Sequence, residues 1–586
     1  MLKLFKNFSK KDILIVIISI SLIVLQVYLD LKLPEYMSAI TRLVQTDGSK
    51  MIDIIIKGLY MVGCAFGSLG TTIIVGYLAS YLSADFSRSL RKKIFDKVQS
   101  FSTSEIKKFR TSSLITRTTN DVTQIEMLIS MGLQMLIRAP IMAVWAILKI
   151  VNKSMEWSML TGVGVVILLS TISILMIIVI PRFKIVQKLV DSMNNVTREN
   201  LTGIRVIRAF NAEKFQKNRF ENVNNDLTKT QTFIQRSFAV IFPMINFVMH
   251  GLTLGIYFIG AFLISEALMY DKIMLFSNMV VFTSYGIQVI MSFLMLAVIF
   301  MIAPRSQVSA NRINEVLESD ISILDGKYSD ETDEKGIVEF KNVSFKYPDA
   351  DEYLLKDISF KVNKGETIAF IGSTGSGKSS LINLVPRFYD ATRGEVLVDG
   401  VNVKDYKLNT LHNKIGYVPQ KAVMFTGSII DNVSYGDNGK DKPSEKKIKE
   451  SIKVAQGKDF VESMDKKYSS HISRGGTNIS GGQKQRLAIA RAIARDPEIY
   501  IFDDSFSALD YKTDKVLRDE LKKYTKDATS MIVAQRIGTI MHADKIVVLE
   551  KGECVGIGTH KELLKSCEVY KEIALSQLTK EELENA

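Results

Sequence analysis

At 586 residues the chain is too long for one hydrophobic core, so two or more domains are expected. A hydrophobic share of 47% and a mean hydropathy of +0.13 are high for a soluble protein. The net charge of +13 argues for membrane orientation and against a nucleic-acid partner, because the basic residues of the first half gather in particular loops between apolar runs.

Residues 1–11 are Lys-rich, and the apolar run behind them continues too far for a cleavable signal. They read as an interfacial piece leading into a first membrane span. A hydrocarbon core ~30 Å thick needs about 20 apolar helical residues. Six stretches qualify, at roughly 13–40, 54–82, 130–151, 157–180, 238–264 and 274–303. Several are longer than a bilayer, so helices projecting into water are expected, and Pro34 should kink the first. The segments after spans two and four are long and basic, with Arg88, Arg91, Lys92 and Lys93 in one and Arg182, Lys184, Arg205 and Arg208 in the other. The other connections are short and carry few cations. That bias puts the long segments and both termini in the cytoplasm.

Five ionisable groups fall within spans: Asp30, Lys32, Glu35, Arg138 and His250. A charge at mid-bilayer costs about 2.5–3.5 kcal/mol on insertion scales, so each should face protein or a wet cavity. Lys32 and Glu35, three apart, can neutralise each other on one helix face. A polar lining for a substrate path is the other reading, and it names no substrate. Cys64, Cys554 and Cys567 supply neither a disulfide framework nor zinc-ligand spacing.

Near Gly336 the pattern changes to short strands and helices with turn residues between them, after a polar, acidic linker. Gly372, Ser373, Thr374, Gly375, Ser376, Gly377, Lys378 and Ser379 follow the apolar run 367–371 and precede the helical run 380–385. This is a phosphate-binding loop in its required strand–loop–helix setting. Its glycines let backbone N–H groups curl around phosphates, Lys378 reaches the β and γ oxygens, and Ser379 offers a hydroxyl to Mg²⁺. The apolar strand 499–502 ends in Asp503, a carboxylate placed to hold that metal. Ser480, Gly481, Gly482 and Gln483 put a hydroxyl and two glycines at a helix start, a second anion cradle.

That last run closely resembles the signature sequence of the ABC ATPases. Six spans with two long cytoplasmic excursions are similar to the exporter-type ABC transmembrane domain. The resemblance implies an all-α six-helix transmembrane domain over 1–310, a linker over 311–335, and an α/β P-loop ABC nucleotide-binding domain over 336–586. In the family each excursion ends in a short coupling helix that docks on a nucleotide-binding domain. The matching stretches here are 116–122 and 199–210, the second with an apolar stripe of Ile204, Ile207 and Phe210. The resemblance also implies ATP as cofactor and a head-to-tail dimer in which Ser480, Gly481, Gly482 and Gln483 face the partner's nucleotide. Tyr347 matches the aromatic that stacks on adenine. Gln420 matches the glutamine that touches Mg²⁺ or the attacking water, and residues 507–510 match the D-loop.

Two positions depart from the family. The glutamate that in the family normally follows the strand-end aspartate, Asp503 here, is Asp504, and the switch histidine is Gln535. Asp is one methylene shorter, about 1.5 Å of reach, and a misplacement of ~1 Å can cost about 10²-fold. Gln535 can hydrogen-bond a phosphate but carries no proton or positive charge. This half-site is expected to bind MgATP and hydrolyse it slowly, while the intact signature serves a partner. The pattern resembles the degenerate-site subunit of heterodimeric bacterial multidrug ABC exporters. It implies a second half-transporter as partner, a bilayer in a bacterial cytoplasmic membrane, and a small-molecule substrate of unspecified identity. The alternatives are an ATP-gated channel or regulatory subunit, and an ABC importer with the exporter-type fold.

Overall fold

The computed structural model describes residues 2–6, 8–46, 48–151, 155–330 and 332–578. Met1 and Asn7 of the expected interfacial piece, residues 152–154 after the third span, Glu331 of the expected linker and residues 579–586 lie outside the described residues. The chain divides into two compact units. One is Met1–Gln99 with Thr111–Ser319, the other Ser100–Arg110 with Asp320–Ala586.

The first unit is helical. In chain order the helices of this half are α1 (Leu2–Phe5), α2 (Lys10–Gln45), α3 (Met51–Gln99), α4 (Thr103–Phe109), α5 (Thr111–Thr118), α6 (Asn120–Val151), α7 (Met155–Thr202), α8 (Ile204–Ala209), α9 (Glu213–Ala239), α10 (Ile241–Glu266) and α11 (Met269–Leu317). Of these, α4 belongs to the second unit. Among the described residues, six helical stretches are long and apolar enough to cross a membrane, matching the six expected spans. Helices of 48 or 49 residues exceed the ~20 that a bilayer needs, so their apolar parts span and their charged parts continue as water-soluble extensions. A capping box of Ser9 and Asp12 starts α2, which runs on through Pro34 as one helix. Buried Ile23, Val27, Leu31, Trp157, Ile256, Phe282, Tyr285 and Val289 fill the core of the bundle. The Tyr285 hydroxyl donates to the Leu31 carbonyl at 2.9 Å, which satisfies a polar group that lipid could not.

The span charges are paired. Arg138 meets Asp30 at 2.9 Å, and the Ser68 hydroxyl donates to the same carboxylate. Glu35 receives Lys32 at 2.6 Å, as expected, and also Lys149 at 2.7 Å from α6. His250 is exposed.

Two boundaries differ from the sequence reading. The helix α11 continues to Leu317, past the start of the expected linker, held there by Arg117–Glu315 at 2.7 Å and Arg312–Asp121 at 3.4 Å. For the first expected docking stretch the short helix is α5, at 111–118, so the expected 116–122 straddles its junction with α6. The second, α8, falls inside 199–210. With six residues it buries only Ile207, and Ile204 and Phe210 stay exposed.

The second unit is α/β. A four-stranded sheet has the order β2 (Leu355–Val362), β1 (Val338–Phe345), β4 (Arg393–Val398), β5 (Val401–Asn402). A six-stranded sheet has the order β12 (Glu553–Gly558), β11 (Lys545–Glu550), β3 (Thr367–Gly372), β10 (Thr529–Val533), β9 (Ile499–Asp503), β6 (Ile415–Val418). A two-stranded ribbon joins β7 (Gly427–Ser428) to β8 (His471–Ile472). The helices are α12 (Lys378–Ile382), α13 (Leu408–Asn413), α14 (Ile429–Val433), α15 (Glu445–Val454), α16 (Lys458–Glu462), α17 (Gly481–Arg495), α18 (Tyr511–Tyr524), α19 (Ile537–Ile540), α20 (His560–Ser566) and α21 (Glu568–Leu575). The six-stranded sheet is parallel except at β12 and buried on both faces, which is why its strands read as unbroken apolar runs. Phe370 of β3 and Val547 of β11 face one core, while Ile371 and Val548 face another.

Residues of the expected linker lie against this unit. The Leu408 N–H donates to Asp325 at 2.6 Å, and Tyr328 bridges Tyr406. Lys414 sits among Asp399 at 2.7 Å, Glu498 at 2.9 Å and the Thr332 hydroxyl at 3.1 Å.

Candidate functional site

Four neighbouring parallel strands, in the order β3, β10, β9 and β6, release their C-terminal ends on one edge of the sheet. Each end delivers one of the candidate residues. After β3 comes the loop 372–379, after β10 comes Gln535, at the end of β9 come Asp503 and Asp504, and after β6 comes Gln420. Ligands of open parallel sheets sit at such edges, because loops and helix starts converge there with unpaired backbone donors.

The loop has an exposed tip, with Ser373, Thr374 and Gly375 in solvent, and a buried root at Ser376. Gly377 caps α12 at φ +97°, and a Cβ there would stand 2.6 Å from Leu355 Cδ2. Only glycine meets both conditions. Helix α12 ends at Ile382, so the helical run expected over 380–385 gives way early to turns. The Lys378 ammonium donates to the carbonyls of Gly372 and Ser373, both at 2.8 Å, which fixes it over the loop. Burial pushes the Lys378 ammonium below its ordinary range, and the carboxylates of Asp504 and Asp503 oppose that.

Ser379 Oγ donates to Asp503 Oδ1 at 2.7 Å. Burial pushes the Asp503 carboxyl up, while the Ser379 bond pulls it down and Asp504 adds to the rise. A hydroxyl and a carboxylate side by side are hard oxygen donors that fit Mg²⁺. Among the described residues no cluster of three or more His, Cys, Asp and Glu could hold a metal. A Mg²⁺ here would be held by Ser379 and Asp503, with Gln420, phosphate and water as the further oxygen donors.

Asp504 is buried and adopts φ +47°, a left-handed conformation tolerated by Asp. Its backbone N–H donates to Val533 O at 3.0 Å. One carboxylate oxygen, Oδ2, accepts from Gln535 Nε2 at 2.8 Å and from Gln420 Nε2 at 3.3 Å. The two departures from the family pattern are thus bonded to each other, and the amide of Gln420 reaches the same oxygen.

Ser480 caps α17 by a reciprocal box. Its N–H donates to Gln483 Oε1 at 2.8 Å and its Oγ accepts from the Gln483 N–H at 3.3 Å. Gly481 leaves the start of the helix open, and a Cβ at Gly482 would lie 3.2 Å from the Ala508 carbonyl. Among the described residues no hydrogen bond joins 480–483 to the loop 372–379.

Tyr347 is half-buried, with its ring edge-on to Phe345 and Tyr389 at 5.0 and 5.2 Å. Its hydroxyl shares a hydrogen bond with Ser380 Oγ at 2.8 Å. Lys107 of α4, which sequence reasoning missed, places its ammonium 5.0 Å from the Tyr347 ring centre and 5.5 Å from that of Tyr389. The neighbouring Tyr389 side chain holds the Lys107 ammonium above its ordinary range, against the effect of burial. Glu105, accepting from the N–H groups of Ser102 at 2.7 Å and Ser322 at 3.3 Å, anchors the helix. No sequence signal could have found this, because the two partners are some 240 positions apart.

The family model described as ABC transporter matches residues 355–507, and that described as ABC transporter transmembrane region matches residues 15–304. An uncharacterized ABC transporter ATP-binding protein of Mycobacterium tuberculosis is 36% identical over 524 residues, covering 89% of this chain and 88% of its own. An ATP-dependent lipid A-core flippase of Haemophilus influenzae is 31% identical over 525 residues, covering 87% and 86%. The solved structure of a bacterial Atm1-family ABC exporter with ATP bound superposes with a TM-score of 0.77 at 22% identity, covering 96% of this chain and 98% of that one. This last likeness is one of fold.

Proposed function

The chain belongs to the ABC transporter family as an exporter-type half-transporter, one transmembrane domain fused to one ATP-binding domain, and from that premise we propose that it works as the degenerate-site subunit of a heterodimer. ATP drives the transport, and the loop 372–379 holds its phosphates. Lys378 neutralises the β and γ oxygens, and Tyr347 carries the base. Ser379 and Asp503 hold Mg²⁺, which when bound draws charge from the phosphate oxygens.

The observation that carries the reading is the pair of amides on Asp504 Oδ2. A general base must reach the attacking water within hydrogen-bond distance. This carboxylate has Oδ2 committed to two amides, and a left-handed backbone fixes its direction. Gln535 places one of its two N–H donors on the same oxygen and carries no titratable group. The site is therefore built to hold nucleotide and slow in cleaving it. Ser480, Gly481, Gly482 and Gln483, joined to no part of their own chain's loop, face the partner's γ-phosphate. Hydrolysis there resets the transporter from outward to inward facing. The location is a bacterial cytoplasmic membrane with both termini in the cytoplasm, and the cargo is a small molecule of the multidrug type.

Mutation of the assembled complex tests this. Removing a working general base costs ~10²–10⁴-fold. Asp504→Ala is expected to lower ATPase less than about tenfold, whereas Ser480→Arg, which drives a cation into the phosphate cradle, nearly eliminates it. Rapid hydrolysis by the chain alone, abolished by Asp504→Ala, would replace the heterodimer with a homodimer of two working sites.

A further inference from the structure

Beyond the loop residues themselves, one side chain grips the segment that carries Gln535. Gln577, just past α21, donates from Nε2 to the Gln535 carbonyl at 2.8 Å. Its Oε1 accepts from the Ile537 N–H, also at 2.8 Å. Chemistry fixes the orientation of this amide, since the carbonyl needs a donor and the N–H needs an acceptor. Bonding to the carbonyl before Arg536 and the N–H after it is what a parallel β-bridge partner does. Arg536 is extended, at φ −102° and ψ 127°, and no side chain of its own caps α19. Gln577 thus acts as a one-residue strand that prolongs β10 beyond Val533 and caps α19 from a distance.

The grip rests on a rigid base. Tyr570 and Ala574 of α21 are fully buried in the core that also contains Ala534, Ile537 and Ile540. From there the chain of contacts is short. Gln577 fixes the Gln535 backbone, and the Gln535 side chain holds Asp504 at 2.8 Å.

We propose that Gln577 is a positioning residue for the nucleotide site: through the backbone of residues 535–537 it aims the Gln535 amide at Asp504 and at the γ-phosphate. The proposal rests on the reading that this site holds MgATP, and the experiment separates the two. The full chain, assembled and reconstituted in membrane, is loaded with Mg²⁺ and 8-azido-ATP, and the loss of label from this chain is followed by photolysis at intervals. Gln577→Met, which keeps length but neither bond, should release nucleotide roughly fivefold faster, the scale of one hydrogen bond. Gln577→Glu, which sets a carboxylate against the Gln535 carbonyl, should do so at least as much. In a Gln535→Ala background neither change should matter further, because the side chain being aimed is gone. A role limited to folding would act equally in both backgrounds. Equal effects there, or no effect in the parent, overturn the proposal. If Lys378→Ala leaves retention unchanged, the nucleotide reading falls and the proposal with it; if Lys378→Ala abolishes retention and Gln577 is silent, the proposal alone falls.

Discussion

At the scale of single residues, Tyr347 shows how a contact changes an expectation. An adenine stacked on a tyrosine needs only the ring, so from sequence alone Tyr347→Phe is expected to be silent. In the fold the hydroxyl is bonded to Ser380, next to the Mg²⁺-binding candidate Ser379. Tyr347→Ala should then weaken ATP binding by ~1–3 kcal/mol, the range for losing a stacked base. Tyr347→Phe should cost about 0.5–1.5 kcal/mol, the net value of one hydrogen bond. Competition of ATP against a photolabel measures both. A silent Phe variant would leave the Ser380 contact without a role in binding, and a Phe loss as large as that of Ala would remove stacking from the account.

At the scale of elements, two ion pairs join α2 to α6. Asp30–Arg138 and Glu35–Lys149 lie five residues apart on α2 and eleven apart on α6, so they pin the helices at two levels. Breaking a buried pair by removing one partner costs about 3–5 kcal/mol, and the partial exposure of these groups reduces that. Arg138→Met should lower the thermal midpoint of the detergent-solubilised protein, because Asp30 keeps only the Ser68 hydroxyl. Adding Asp30→Leu should recover most of the loss, since the orphaned charge is then gone. If the double variant is as unstable as the sum of the two singles, the pair is not what holds the helices there.

At the scale of the whole molecule, length and charge set the topology. We propose that six spans return the chain to its starting side, with the basic segments after spans two and four drawn to the cytoplasm by the charge bias that sets orientation. An epitope at the C-terminus should be reached by antibody in inside-out vesicles and stay protected on intact cells. Labelling of intact cells would reverse the orientation.

Much of this is legible in the sequence. The six spans follow from apolar run length, because a bilayer imposes a fixed thickness and lipid leaves backbone groups no partner but the helix itself. The phosphate loop was legible because a backbone that wraps phosphate needs glycine at fixed offsets, and Gly377, at φ +97° against Leu355, has no substitute. The departures at Asp504 and Gln535 are also visible in the sequence, once it is set beside the family pattern. Sequence could not say that they bond to each other, since that depends on β10 lying beside β9, an order that no local pattern encodes. The same holds for Lys107 over Tyr347, for Lys149 joining Glu35 and for Gln577 clasping the segment after β10. Local chemistry fixed by period, spacing and solvent was written in the chain. Contacts between residues tens to hundreds of positions apart came only from how the strands order and the helices pack, because a hydrogen bond between distant residues leaves no trace in the spacing of either.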